Sequence, residues 1–155
     1  MAKTDYAFRT LAINKKARFN YAIQETLECG VSLAGTEVKS IKEGRFSFAD
    51  SYAQVENGEL WLIAFHVTPY AFGNRYNLDD PLRRRKLLVH KKEIKRLKRI
   101  TDEKGLTLVP LRIYLHKGMV KCELGIARGK KFFDKREDIK KRDVKREMQR
   151  EFRIK

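Results

Sequence analysis

The chain has 155 residues, enough for one domain with a buried core and an extension. Its 36 Lys and Arg outnumber 20 Asp and Glu for a net charge of +16, which points to a polyanionic partner, nucleic acid before an anionic membrane. No stretch approaches 18 consecutive apolar residues and there is no apolar signal region at the N-terminus, so the chain reads as soluble and cytoplasmic, with no membrane partner.

Taken in chain order, residues 1–12 have no sustained period and read as a flexible arm. The stretch "NKKARFNY" mixes Asn14, Lys15, Lys16 and Arg18 at a strand entrance. "RFNYAIQETLEC" alternates, with Phe19, Tyr21, Ile23 and Leu27 on one side, the pattern of a half-buried strand. Glu28, taken on the residues alone, is a solvated carboxylate at its end. "LAGTEVKSIKEG" sets Ala34, Val38 and Ile41 on one face of a short helix stopped at Gly44. "DSYAQVENGELWLIAFHV" is two apolar runs split by Asn57-Gly58, a hairpin signal.

"TPYAFGNRYNLDDPLRRR" is rich in Gly, Asn, Asp and Pro and reads as a long loop carrying Tyr70, Phe72, Arg75 and Tyr76. "KLLV" is a short strand. "HKKEIKRLKRITDEKG" offers Ile94, Leu97 and Ile100 as one apolar face of a helix closed by Gly105. "LTLVPLRIYLHKGMVKCELGIARG" is a second hairpin turning at Lys117-Gly118, with Val120, Cys122, Leu124 and Ile126 inward and Pro110 at an edge or bulge. The fold class is mainly β with short helices: two hairpins, single strands and an inserted helix suit a small six-stranded barrel of oligonucleotide-binding type.

The chemistry carried by these elements is binding rather than catalysis. No Gly-rich phosphate loop with its Lys, no Gly-x-Ser-x-Gly and no paired Cys or His ligands occur, and His66, His90 and His116 are scattered. Asp79-Asp80 precede Pro81 in a turn-rich loop, where Asp serves the backbone. Cys29 and Cys122 read as reduced core residues, although one disulfide between them is possible. No catalytic group, metal or cofactor is expected. Residues 83–99, "RRRKLLVHKKEIKRLKR", hold ten Lys or Arg against Glu93 alone, a density that favours phosphate contact over a solvated face.

From Lys130 to Lys155 the chain has twelve Lys or Arg, six Asp or Glu and seven large apolar side chains. That is too little to bury against the cost of ordering, so this tail should be loose when free. Glu137 precedes Lys141 by four and Asp138 precedes Arg142 by four, so it can become a helix on a polyanionic partner.

"NKKARFNY", "GTEVKS", "DSY", "GNRYNLDDPLRRRKLLVHKKEI", "GLTLVPLRIYL" and "GIARGKKFFDKREDIKKRDVKR" follow one another in an order that resembles the SmpB (small protein B) family, the bacterial proteins that bind SsrA RNA, or tmRNA. The resemblance spans roughly residues 12–150. It implies a barrel (13–129) that clasps the tRNA-like domain of tmRNA, delivers it to the stalled 70S ribosome in trans-translation, and places a tail (130–155) in the decoding centre and vacant mRNA path. Elongation factor Tu would join through alanyl-tmRNA. The implied RNA surface includes Asn14, Glu28 and Leu88, so Glu28 passes from bland to functional. With the basic segments, the expected tmRNA-binding set is Asn14, Lys15, Lys16, Arg18, Tyr21, Glu28, Arg83, Arg85, Lys86, Leu88 and His90. The expected ribosome-facing set is Lys130, Lys131, Phe133, Asp134, Lys135, Arg136, Lys140, Arg142, Asp143 and Arg146. Phe133 stands where many relatives carry His or Tyr, which keeps the stacking face and removes a hydrogen bond. The competing readings are a ribosomal protein bound permanently to rRNA and an RNA-processing enzyme.

Overall fold

The computed structural model describes residues 8–73, 80–130 and 132–154. In chain order the elements are β1 (Arg9–Ile13), α1 (Lys15–Asn20), β2 (Tyr21–Val31), α2 (Gly35–Lys42), β3 (Phe46–Ser47), β4 (Tyr52–Glu56), β5 (Glu59–Ile63) and β6 (His66–Val67). There follow β7 (Arg85–Leu88), α3 (Lys91–Lys104), β8 (Thr107–His116), β9 (Met119–Gly129) and α4 (Phe132–Ile154).

Six strands close a ring in the order β8-β4-β5-β7-β2-β9, with β9 returning to β8. Closure leaves these strands with hydrogen-bonded neighbours on both sides, which removes most of the open edge. The ring is the expected six-stranded barrel. Three further short strands go beyond it: β3 pairs with β6, and β1 runs antiparallel along β8. Residues 9–13 are therefore a strand and not part of a loose arm. Their partner lies 100 residues away, so no local pattern announces them.

Both hairpins turn where the sequence places them. Asn57 and Gly58 have φ of 53° and 75°, and Lys117 and Gly118 have 53° and 76°. The core is built from Leu60, Leu62, Leu87, Leu108, Leu124 and Ile126, with Ile94 and Leu97 of α3 added to it. Cys29 and Cys122 face each other across β2 and β9, both buried and unbonded.

Strand β8 carries the fold's main irregularity. The ladder with β9 shifts between Pro110 and Arg112, the bulge that Pro110 requires. Before the shift, Leu108 points into the barrel while Val109 and Leu111 point out; after it, Ile113 points in. The outward pair packs with Ala17 of α1 and Ala127 of β9. Gly125 permits this layer, since a Cβ there would stand 2.9 Å from the Leu111 side chain.

Helix α1 corrects the strand reading of Phe19. The Asn14 side chain accepts from Ala17 N–H at 3.1 Å, starting a helix that ends where Tyr21 turns extended. The tail is helical over Phe132–Ile154, the form expected of it on a partner. Its spacing of acids four residues before bases supports a helix with no core of its own. Residues 139–150 of α4 are exposed throughout.

Candidate nucleic-acid interface

Strands β2 and β7 pair with Gly30 opposite Leu88. A Cβ at Gly30 would lie 3.3 Å from the Leu88 Cβ, so glycine lets Leu88 lean over β2. Leu88 is 51% exposed, a large apolar side chain offered to solvent. Beside it an open groove of about 360 Å³ is lined by Leu27, Glu28, Gly30, Leu88, Val89, His90, Glu93 and Lys121. Three expected site residues from two distant segments, Glu28 and the pair Leu88 and His90, thus share one depression.

Glu28 sits opposite Glu123, but Glu123 is taken up by Arg112, and Glu28 lies close enough to Tyr114 for its charge to act on the phenol. Tyr114 is buried beneath Phe8, and burial together with the Glu28 carboxylate pushes its phenol pKa up. The Arg112 guanidinium lies 4.4 Å from the Tyr114 ring centre. The exposed Glu28 carboxylate has acceptor capacity for amino or 2′-hydroxyl groups. Tyr114, Arg112 and Lys121 escaped the sequence reading. The outward parity of Arg112 and Tyr114 on β8 emerges only once the bulge is placed, whereas that of Lys121 follows from the β9 alternation.

The second expected cluster lies elsewhere. Lys15, Lys16 and Arg18 are exposed on α1, and Tyr21 is half-buried where α1 meets β2. Seven residues of strand separate Tyr21 from Glu28, about 24 Å at 3.4 Å per residue. Lys16 pairs with Asp50 at 2.9 Å. Asn14 is 6% exposed, and besides capping α1 it donates from Nδ2 to Pro110 O at 2.9 Å. Its backbone N–H donates to Leu111 O at 2.7 Å. Its polar atoms pin α1 on the β8 bulge, which gives Asn14 a structural role at this end of the barrel.

The cations of the run 83–86 all pair with acids of the protein. Arg85 is fully buried: Nε donates to Glu37 Oε2 at 2.7 Å, Nη1 to Phe65 O at 2.5 Å and Nη2 to Pro81 O at 2.9 Å. Arg83 clamps the same carboxylate, Lys86 reaches Glu59 at 3.1 Å, and Arg84 pairs with Glu56. Burial alone would raise the Glu37 pKa, but Arg83, the Ala34 N–H and Arg85 outweigh it and hold the carboxyl below its ordinary value. Burial lowers the Arg85 pKa against the opposing pull of Glu37. Glu37 was legible only as the third residue of "GTE", where it closes back on Ala34 N at 2.9 Å.

At the tail, Lys130 N donates to Asn20 O at 2.9 Å and Lys130 Nζ binds Asp138, whose pKa this bond lowers. The Arg142 guanidinium lies 5.2 Å from the Phe19 ring centre. Arg136, Lys140, Asp143 and Arg146 are exposed. Lys131 lies outside the described residues, as do the side chains of Phe133, Asp134 and Lys135. Arg75, Tyr76 and Asp79 are outside them as well. Asp80 serves the turn, accepting from Leu82 N–H at 2.9 Å. Among the described residues no group of three His, Cys, Asp or Glu is placed to hold a metal, and no helix is long and apolar enough to cross a membrane.

Comparison with known proteins bears on this surface. Residues 11–154 match the family model described as "SmpB protein". The chain is 54% identical over 146 residues to a Treponema denticola protein named SsrA-binding protein, covering 94% of each. It is 54% identical over 145 residues to the SsrA-binding protein of Bacillus subtilis, covering 94% of this chain and 92% of that one. Among solved structures it is similar to a chain described as "tmRNA-SmpB: a journey to the center of the bacterial ribosome". The TM-score is 0.65 at 49% identity, covering 78% of this chain and 85% of the other.

Proposed function

The chain belongs to the SmpB family, and we propose from that premise that it binds tmRNA and carries it to stalled ribosomes in trans-translation. The observation that carries this reading is the near-complete match to SsrA-binding proteins on a barrel with an open, partly apolar groove. Its partners are the tRNA-like domain of tmRNA, the stalled 70S ribosome and, through alanyl-tmRNA, elongation factor Tu. It acts in the cytoplasm and catalyses nothing itself.

The roles divide between two parts. The barrel, residues 13–129, recognises RNA through Glu28, Leu88 and His90, with Lys15, Lys16 and Arg18 contributing phosphate contacts from α1. Phosphate contacts position and base-edge contacts specify, so the Glu28 carboxylate in the groove is the specifying group. The tail, residues 130–155, enters the mRNA path when no message fills it. As a helix its 23 residues reach about 35 Å at 1.5 Å per residue. Its exposed cations meet phosphates there, and an intact message would withhold them.

Sequencing the RNA that co-purifies with the protein tests the reading. One small RNA should be enriched, with the protein substoichiometric on ribosomes. Stoichiometric rRNA without that small RNA would instead identify a structural ribosomal protein.

A further inference from the structure

Within the basic window of residues 83–99, the structure separates two kinds of cation. The first four pair with acids of the protein: Arg83 and buried Arg85 on Glu37, and at the surface Arg84 on Glu56 and Lys86 on Glu59. On α3, Arg96 holds both Glu25 and Glu93, and Lys98 holds Asp102. Lys91, Lys92, Lys95 and Arg99 are exposed and pair with no acid among the described residues.

These four cations share one side of the helix. Lys91, Lys95 and Arg99 recur at i, i+4 and i+8, with Lys92 adjoining, while Ile94 and Leu97 are buried on the opposite side. The row runs about 12 Å along the axis. Folding gives no reason for it. Like charges four apart weaken a helix, and Lys91 and Lys92 in the first turn oppose its dipole. Nor does the row suit a membrane, since a surface-lying helix needs a broad apolar face outward and this one turns its apolar residues into the barrel.

Its position names the partner. His90 immediately precedes α3 and also lines the groove with Glu28 and Leu88. We propose that the outward row Lys91, Lys92, Lys95 and Arg99 binds the phosphate backbone of the same RNA that occupies the Glu28–Leu88 groove, namely the tRNA-like domain. This rests on the proposed function and deepens it: the groove specifies, and α3, rather than the Arg83–Lys86 run, supplies phosphate contacts.

The test compares wild type with the triple variant Lys91→Gln, Lys95→Gln, Arg99→Gln and with the control Arg84→Gln, Lys98→Gln, which removes cations already held by acids. Binding to a transcript of the tRNA-like domain is measured across a salt series, and binding to empty 70S ribosomes in parallel. The triple variant should flatten the slope of log affinity against log salt by about 3, roughly one per lost phosphate contact. It should weaken binding to all RNAs alike and melt no lower than wild type, while the control keeps the wild-type slope. An unchanged slope in the triple variant, an equal change in the control, or a change seen only on ribosomes overturns the row as a tmRNA contact. Wild-type protein that fails to bind the transcript overturns the proposed function and the row with it; wild-type binding with an unchanged triple-variant slope overturns the row alone.

Discussion

Arg85 and Glu37 form a buried ion pair, Nε to Oε2 at 2.7 Å, that ties β7 to α2. Removing one partner of a buried pair costs about 3–5 kcal/mol, because the other charge stays behind uncompensated. Arg85→Ala should therefore lower stability by about that amount in urea unfolding. It also strands Phe65 O and Pro81 O, which Arg85 now satisfies. Unchanged stability would place the pair outside the folding balance.

The same carboxyl sets an acid limb. The folded pKa of Glu37 is depressed, so its contribution is fully present above the unfolded carboxyl value of about 4.3 and is lost as pH falls below it. Stability measured from pH 7 downward should hold to about 5 and then drop, and Glu37→Gln should flatten that drop while lowering the plateau.

Glu28→Gln and Leu88→Ala should each weaken binding to the tRNA-like domain about tenfold, roughly 1.4 kcal/mol, and leave binding to an arbitrary duplex nearly unchanged. Both side chains are exposed, so melting temperatures should move little. Gly30→Ala, which presses on Leu88, should act in the same direction. Equal losses on both RNAs would assign these residues to the fold alone.

Truncation after Gly129 should leave affinity for tmRNA near wild type and abolish tagging of stalled chains in a reconstituted assay. Changing Asp134, Lys135 and Arg136 together to Ala should do the same. A truncated protein that loses tmRNA would make the tail part of the RNA clasp.

Helix α4 meets the barrel side chains through Lys130–Asp138 and Arg142–Phe19 and is otherwise open to water from 139 to 150. Its amides should exchange orders of magnitude faster than those of Leu124 and Ile126, since lone helices are marginal without packing. Phe19→Ala should speed exchange near Arg142 with no effect on β9. Protection equal to that of β9 would mean the tail is docked too firmly to leave for a channel.

What the sequence revealed was local. Asn57-Gly58 and Lys117-Gly118 announce their turns because positive φ is a property of those residues themselves. Alternation at Val120, Cys122, Leu124 and Ile126 announces a buried face. Phe19 misled because it continues the spacing of Tyr21 and Ile23, while the helix that claims it is six residues long and depends on Asn14 bonding to Pro110, 96 residues away. The pairing of Arg83 to Lys86 was hidden for a related reason: their acids, Glu37, Glu56 and Glu59, lie 27 to 48 residues off, so the run looks unpaired on paper. Glu28 drew notice through family resemblance alone, since Leu88 and His90, which share its groove, arrive from a segment 60 residues on.

Cys29 and Cys122, facing each other within the barrel wall, have a practical consequence. Burial pushes the Cys29 thiol up to about 12, and Cys122 is raised as well, so neither offers a thiolate to an alkylating dye while the barrel is closed. A third cysteine placed at exposed Met148 would then be the site that takes the label. The travel of the tail can be followed by fluorescence in a protein whose native thiols need not be removed.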